Sequence, residues 1–133
     1  LSRKAGRPVK LVMQRQDVFE GSGPTPGSYM RVKLGATRDG KLVAGEAYIV
    51  FDAGAFPGGV IGPGCMCVFS CYDLPHARVD GYNVVLNKPK TQAYRAPGST
   101  HVAYACESVI DELAQQLNID PIELRLMNAA KEG

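Results

Sequence analysis

No stretch of the 133 residues approaches the roughly 18 consecutive apolar side chains that a membrane span requires. The first residues also lack the apolar core of a secretory signal. The expectation is a soluble, cytoplasmic protein with no membrane partner. Net charge is equally scarce. Fifteen Lys and Arg against thirteen Asp and Glu leave +2, far short of the basic excess that marks a nucleic-acid binder. Cysteine is sparse too: Cys65, Cys67, Cys71 and Cys106 are too few for a disulfide scaffold without an export signal, so free thiols are expected. What remains, 45% hydrophobic and 21% charged, is the composition of one ordinary domain over residues 1–133. It is long enough to bury a core without disulfide or metal staples. The chain opens at Leu1 rather than at a methionine. Leu1 to Gly6 reads as the last turn of a helix, with two cations near the negative dipole end and a glycine at the C′ position, so a cut from a longer chain is expected.

After Pro8, alternation of Val9, Leu11 and Met13 with Lys10 and Val12 predicts a short strand over Val9 to Arg15. Three glycines and two prolines between Asp17 and Ser28 predict a loop. In Tyr29 to Arg38, Met30, Val32, Leu34 and Ala36 share one face, and Arg31, Lys33 and Thr37 the other. Asp39-Gly40 suits a type I′ turn, so Lys41 to Asp52 should return antiparallel as the second arm of a long hairpin. That arm is apolar enough for a central strand covered on both faces. Ala53 to Cys71 is glycine-rich, apolar and without period, and is expected to pack against something, in this chain or on a neighbouring surface. A further strand is predicted over Ala77 to Leu86, stopped by Pro89.

The last third predicts two helices. One is capped by Ser99 or Thr100 and runs to about Leu117, with Val102, Cys106, Val109, Ile110, Leu113 and Leu117 on its inner stripe and Glu107, Asp111 and Glu112 turned to solvent. The other opens at Asp120-Pro121-Ile122-Glu123, which supplies a cap, a proline at N1 and a Glu at N3. The whole predicts an α+β fold of two layers: a mainly antiparallel sheet with a long hairpin, and two C-terminal helices packed on one face.

Three sets of residues can be weighed for chemistry. Cys65, Cys67, Cys71 and Cys106 can supply four thiolates, but their spacing fits no common zinc or iron–sulfur site and Cys106 falls on the apolar stripe, so packing thiols and no metal site are expected. His76 and His101 lack neighbours that suggest a triad, which leaves surface or capping roles. Gln92 to Thr100 differs from both. It places Arg95 and Gly98 just before a helix N-terminus, where free N–H groups, the dipole and a guanidinium can converge on an anion. An ordinary capped helix with a solvent-facing arginine is the plain alternative.

Gly6-Arg7-Pro8-Val9-Lys10 leading to Arg15, Cys71-Tyr72-Asp73-Leu74-Pro75, Ala93-Tyr94-Arg95, Glu107-Ser108-x-x-Asp111-Glu112-Leu113-Ala114 and Asp120-Pro121-x-Glu123-Leu124-Arg125-x-x-Asn128 occur here in one order. In that order they resemble the molybdopterin-binding region of the large, molybdenum-binding subunit of the xanthine dehydrogenase and aldehyde oxidase family of molybdenum hydroxylases. The resemblance implies a parent oxidoreductase that hydroxylates an aldehyde or N-heterocycle with oxygen from water. A molybdopterin-type molybdenum cofactor would be bound in that parent, not in the fragment alone. It implies that Tyr94, Arg95 and Ala96 border the cofactor, and that Ala53 to Cys71 faces a substrate channel or a neighbouring domain. Implied partners are the remaining domains of the parent chain, iron–sulfur and flavin subunits or domains, and a small-molecule substrate.

The family's Gly-Gly-Phe-Gly-Gly-type loop and its Gly-x-Gly-Glu glutamate are not in this sequence. No catalytic residue and no turnover are therefore expected of the fragment itself. Ala96 stands where carbon monoxide dehydrogenases place a copper-bearing cysteine, and Pro63 and Pro97 fall near positions that hold an arginine and an aromatic in xanthine-oxidising members. These departures argue against carbon monoxide and xanthine as substrates. The competing reading is a self-contained α+β binding module for thiols, metal or nucleic acid, with no catalytic parent. Its apolar glycine stretch should then fold onto its own core.

Overall fold

The computed structural model of the protein describes residues 1–131. Its elements in chain order are α1 (Ser2–Ala5), α2 (Arg15–Gly21), β1 (Ser28–Ala36), β2 (Leu42–Gly54), α3 (Ile61–Cys67), β3 (His76–Val85), α4 (Ser99–Leu117) and α5 (Pro121–Asn128). The sheet has the order β1-β2-β3. The hairpin β1–β2 is antiparallel, with Val32 opposite Ala47, whereas β3 runs parallel to β2, with Val79 beside Ala47. The architecture is α+β as expected, but the sheet is mixed. A parallel pair needs a long crossover, and the glycine-rich stretch provides it by folding α3 within a segment that sequence pattern reads as irregular.

Three further expectations are corrected. Among the described residues, 8–14 join no sheet and form no strand. Part of the expected loop is α2 instead, because Gln14 and Asp17 close a reciprocal cap in which the Gln14 N–H donates to Asp17 Oδ2 at 2.8 Å, and the glycines gather only from Gly21 onward. The hairpin turn is not type I′, since only Gly40 has positive φ (92°). The Gly40 N–H donates to the Thr37 carbonyl at 2.9 Å and the Thr37 N–H to the Lys41 carbonyl at 2.9 Å. That is a tight turn followed by one left-handed glycine, with the register shift falling at Gly35/Ala36.

Period-two alternation decides which face of the sheet is covered. Ala47, Ile49 and Phe51 of β2 are fully buried with Val68, Phe69, Val102 and Cys106. Leu42 joins Ile110, Ala114 and Leu124 in a second cluster under α4 and α5. Burying each large aliphatic or aromatic side chain stabilises by about 1.5–3 kcal/mol. The other face is open rather than covered: Tyr29, Tyr48 and Tyr82 form a row across it, with ring centroids 6.4 and 5.3 Å apart. Both helix ends at the α4–α5 junction follow the sequence. Asn118 stops α4 with φ 54°, and the Asp120 carboxylate accepts from the N–H groups of Ile122 and Glu123 at 2.8 and 3.1 Å. Among the described residues no helix is long and apolar enough to cross a membrane.

The carboxylates of α4 do more than solvate it. Arg125 of α5 donates through Nε to Glu107 Oε2 at 2.7 Å and pairs through a terminal nitrogen with Asp111 at 2.8 Å. The Tyr72 hydroxyl donates to Glu107 Oε1 at 2.7 Å. Burial, and then this bond to a carboxylate, push the Tyr72 phenol well above its ordinary value. One network thus ties the chain before β3 to both C-terminal helices.

Candidate functional site

Segment 86–98, which leads from β3 to α4, is fixed at its start and free at its end. The Leu86 and Thr91 N–H groups donate to the Gly54 and Ala53 carbonyls at 3.0 and 3.2 Å, and the Gln92 N–H to the Pro24 carbonyl at 3.0 Å. Thr91 Oγ1 donates to the Asp52 carbonyl at 3.1 Å. Two lysines on either side of Pro89 reinforce the attachment. Lys88 pairs with the buried carboxylate of Asp52, and Lys90 donates to the carbonyls of Ala53 and Gly58. Sequence reasoning passed over both lysines, although their spacing about a proline that ends a strand was the available signal.

Beyond Gln92 the chain emerges into solvent. Tyr94 is 75% exposed, Arg95 and Ala96 are exposed, and among the described residues Arg95 has no ion pair and no side-chain hydrogen bond. Ala96 sits at φ 55°, a left-handed conformation that costs a residue with a Cβ about 1–2 kcal/mol. Strain of this kind accumulates where surrounding structure over-determines the backbone. Here Gly98 does so. Its φ is 81°, and a Cβ there would lie 2.5 Å from the Val60 carbonyl oxygen and 3.0 Å from the Gly64 nitrogen. The turn therefore rests directly on the backbone of α3.

Gly98, not Ser99 or Thr100, is the N-cap of α4, and no side chain caps it. Ser99 Oγ turns instead to Cys67 Sγ at 3.2 Å. The Ser99 and Val102 N–H groups are used by the Ala96 and Gly98 carbonyls, which leaves those of Thr100 and His101 at the positive end of a 19-residue helix. Tyr94, Arg95 and Ala96 thus stand together at one helix end, beside the glycine stretch. A cavity of about 240 Å³ lined by Gly58, Gly59, Val60, Lys90 and Gln92 adjoins them. A second, more apolar cavity of about 350 Å³ is lined by Val18, Phe19, Pro24 and Tyr94.

The remaining candidates do not join this site. Cys106 is buried in the core and its thiol is pushed up to about 12, chiefly by burial and then by the charge of Glu107. Cys65 Sγ lies where a side chain at position 81 would have to be, and Cys71 is exposed. Among the described residues no three His, Cys, Asp or Glu side chains gather closely enough to hold a metal ion. Thiol labelling at pH 8 should modify Cys71 first and reach Cys106 only after unfolding, a sequence that mass spectrometry of the labelled peptides checks. His76 is exposed at the start of β3, but His101 is not a surface group. Its ring packs on Phe51 with centroids 5.2 Å apart, because position 101 falls on the inner side of the first turn of α4. Pro63 is exposed within α3 and Pro97 half-buried. The glycine stretch divides: Phe56 is 65% exposed, while Gly64, Val68 and Phe69 are buried against the sheet.

Comparison with known proteins bears on this arrangement. The family model described as the molybdopterin cofactor-binding domain matches residues 1–129. A probable xanthine dehydrogenase component of Bacillus subtilis is 32% identical over 98% of this chain and 18% of its own length. The nicotinate dehydrogenase large molybdopterin subunit of Eubacterium barkeri is 32% identical over 96% of this chain and 31% of its own. Among solved structures, the aldehyde oxidoreductase of Desulfovibrio gigas superposes with a TM-score of 0.89 at 32% identity, over 99% of this chain and 15% of its own. The chain spans less than a third of the length of each of these relatives.

Proposed function

The chain belongs to the molybdopterin cofactor-binding domain family, and on that premise we propose that it builds one wall of the cofactor site in a larger molybdenum hydroxylase. The carrying observation is the exposed Tyr94-Arg95-Ala96 turn, held under strain at the uncapped N-terminus of α4. The donor set suits a large anionic organic group: one unpaired guanidinium and two unused helix N–H groups beside an exposed aromatic ring. A bare metal ion would instead require clustered carboxylate, thiolate or imidazole ligands.

In this reading Arg95 and the Thr100 and His101 N–H groups hold the anionic part of the cofactor, and Tyr94 packs against it. Ala96 and Gly98 keep the turn close to that end of the helix. When bound, the cofactor supplies the redox chemistry that adds oxygen from water to a carbon of an aldehyde or N-heterocycle. The names of the relatives, aldehyde oxidoreductase and nicotinate dehydrogenase among them, support that substrate class. The stretch between β2 and α3, with Phe56 uncovered, faces the substrate channel or an adjoining domain. Electrons leave through iron–sulfur and flavin subunits or domains of the parent, which works in the cytoplasm, a location consistent with four free thiols.

Arg95→Ala in the full-length subunit should lower cofactor affinity by about 10- to 100-fold, the equivalent of losing one charge-assisted hydrogen bond of about 1.5–3 kcal/mol. Molybdenum content and turnover should fall together, with Arg95→Lys intermediate. Unchanged molybdenum content and turnover in Arg95→Ala would remove the assignment.

A further inference from the structure

Residues 1–17 contribute nothing to the core: every one of them is exposed. Within this stretch, residues 8–14 run between α1 and α2 without helix, turn or bend. Among the described residues no backbone N–H or C=O of residues 8–13 takes part in a hydrogen bond. Helix ends bound the segment on both sides. Gly6 ends α1 in the left-handed conformation, and Gln14 enters α2 from extended backbone, φ −78° and ψ 170°.

Its side chains are not those of a solvated linker. Leu11 is 80% and Val12 71% exposed, and Val9 and Met13 about half; on an extended chain Val9, Leu11 and Met13 fall on one side and Lys10 and Val12 on the other. An unbent segment with free amides, apolar side chains and no sheet to join has the chemistry of a strand awaiting an edge. We propose that residues 8–14 form a donor strand that adds to a sheet edge in the part of the parent subunit outside this chain, an edge flanked by carboxylates.

Charge selects that occupant over a second copy. From Leu1 to Gln16 the chain holds Arg3, Lys4, Arg7, Lys10 and Arg15 and no Asp or Glu, so two such arms side by side would repel. Of the sheet's two outer edges, β1 carries Arg31 and Lys33 and β3 carries Arg78 paired with Asp80, so neither offers the arm a negatively charged host. The relatives are about three to ten times longer than the segment shared with this chain, judging from the 10–31% of their lengths that is covered. Ample chain is therefore available to supply the edge. The inference rests on the reading that this chain works within such a subunit.

Hydrogen exchange on the full-length subunit, with molybdenum assayed in the same sample, tests it. A strand paired on one side donates through every second amide. Alternate amides between Val9 and Met13 should therefore exchange roughly 100-fold more slowly than their neighbours, independently of protein concentration. Of the adjacent variants Leu11→Pro and Val12→Pro, one should abolish that protection and the other leave most of it. Uniform fast exchange across residues 9–13 would overturn the proposal, as would protection that disappears on dilution, the mark of a second copy. Free exchange in a molybdenum-loaded sample would defeat the arm alone. Protection without molybdenum would instead defeat the cofactor reading.

Discussion

Gly98→Ala should destabilise the protein by about 2–5 kcal/mol. Two costs combine: about 1–2 kcal/mol for a side chain in the left-handed region and about 1–3 kcal/mol for forcing a methyl group into packed surroundings. The obstacle is the backbone of α3, 2.5 Å away at the Val60 carbonyl, and a helix backbone cannot rotate aside as a flexible side chain would. The turn carrying Tyr94, Arg95 and Ala96 must then shift with Gly98, so cofactor retention in the parent should fall along with the denaturation midpoint. Gly62→Ala is the control. It lies in α3 with open space where its Cβ would go, and should be neutral or stabilise by up to about 1 kcal/mol. Equal losses in both variants, read by chemical denaturation, would show that the contact between Gly98 and α3 is unimportant.

Asn128→Ala should cost about 2–6 kcal/mol for a different reason. The Asn128 side chain is buried at the end of α5, where Oδ1 accepts from the Leu42 N–H at 2.8 Å and Nδ2 donates to the Gly40 and Leu124 carbonyls at 2.9 Å each. Truncation leaves the Leu42 N–H and the Gly40 carbonyl buried without partners, at about 1–3 kcal/mol each. Asn128→Asp keeps the acceptor for Leu42 but turns an oxygen toward the Gly40 carbonyl. It should fail comparably, whereas a deletion that mattered only through lost volume would be rescued by this near-isosteric change.

Asn128 also explains how a sequence could signal its family while saying little about its site. Most residues that carry the resemblance are scaffold. Tyr72, Glu107 and Arg125 form one network, Asp120 and Pro121 start α5, and Asn128 fastens α5 to the hairpin. The network and the bonds of Asn128 to the hairpin join positions 18 to 88 residues apart and were not readable; the start of α5 at Asp120 and Pro121 is local, and spacing and residue type alone made it readable. The amphipathic stripe of α4 and the alternation of β1 were readable for the same reason. The parallel pairing of β3 was not, because it depends on a helix inside a glycine-rich segment whose burial against Phe51 and Val102 arises only from tertiary packing. Nor was α2, which a Gln–Asp cap starts within a stretch that composition marks as loop. The strand expected over Val9 to Arg15 was misread: among the described residues, 8–14 join no sheet, and Arg15 begins α2.

At the candidate site, the placement of Arg95 ahead of a helix start was legible because it is a local feature. The strain at Ala96 and the contact of Gly98 with Val60 were not, since both depend on where α3 comes to rest. Lys88 and Lys90 belong to the same group: their partners, Asp52, Ala53 and Gly58, are more than thirty residues away along the chain.

The most direct test is to locate molybdenum in crystals of the full-length holoenzyme by anomalous diffraction at its absorption edge. The account predicts a peak at the N-terminal end of α4, on the side of Tyr94, Arg95 and Ala96, with the Arg95 guanidinium hydrogen-bonded to the bound cofactor. A peak on the opposite side of the sheet, against the row of Tyr29, Tyr48 and Tyr82, with Arg95 in bulk solvent, would contradict it.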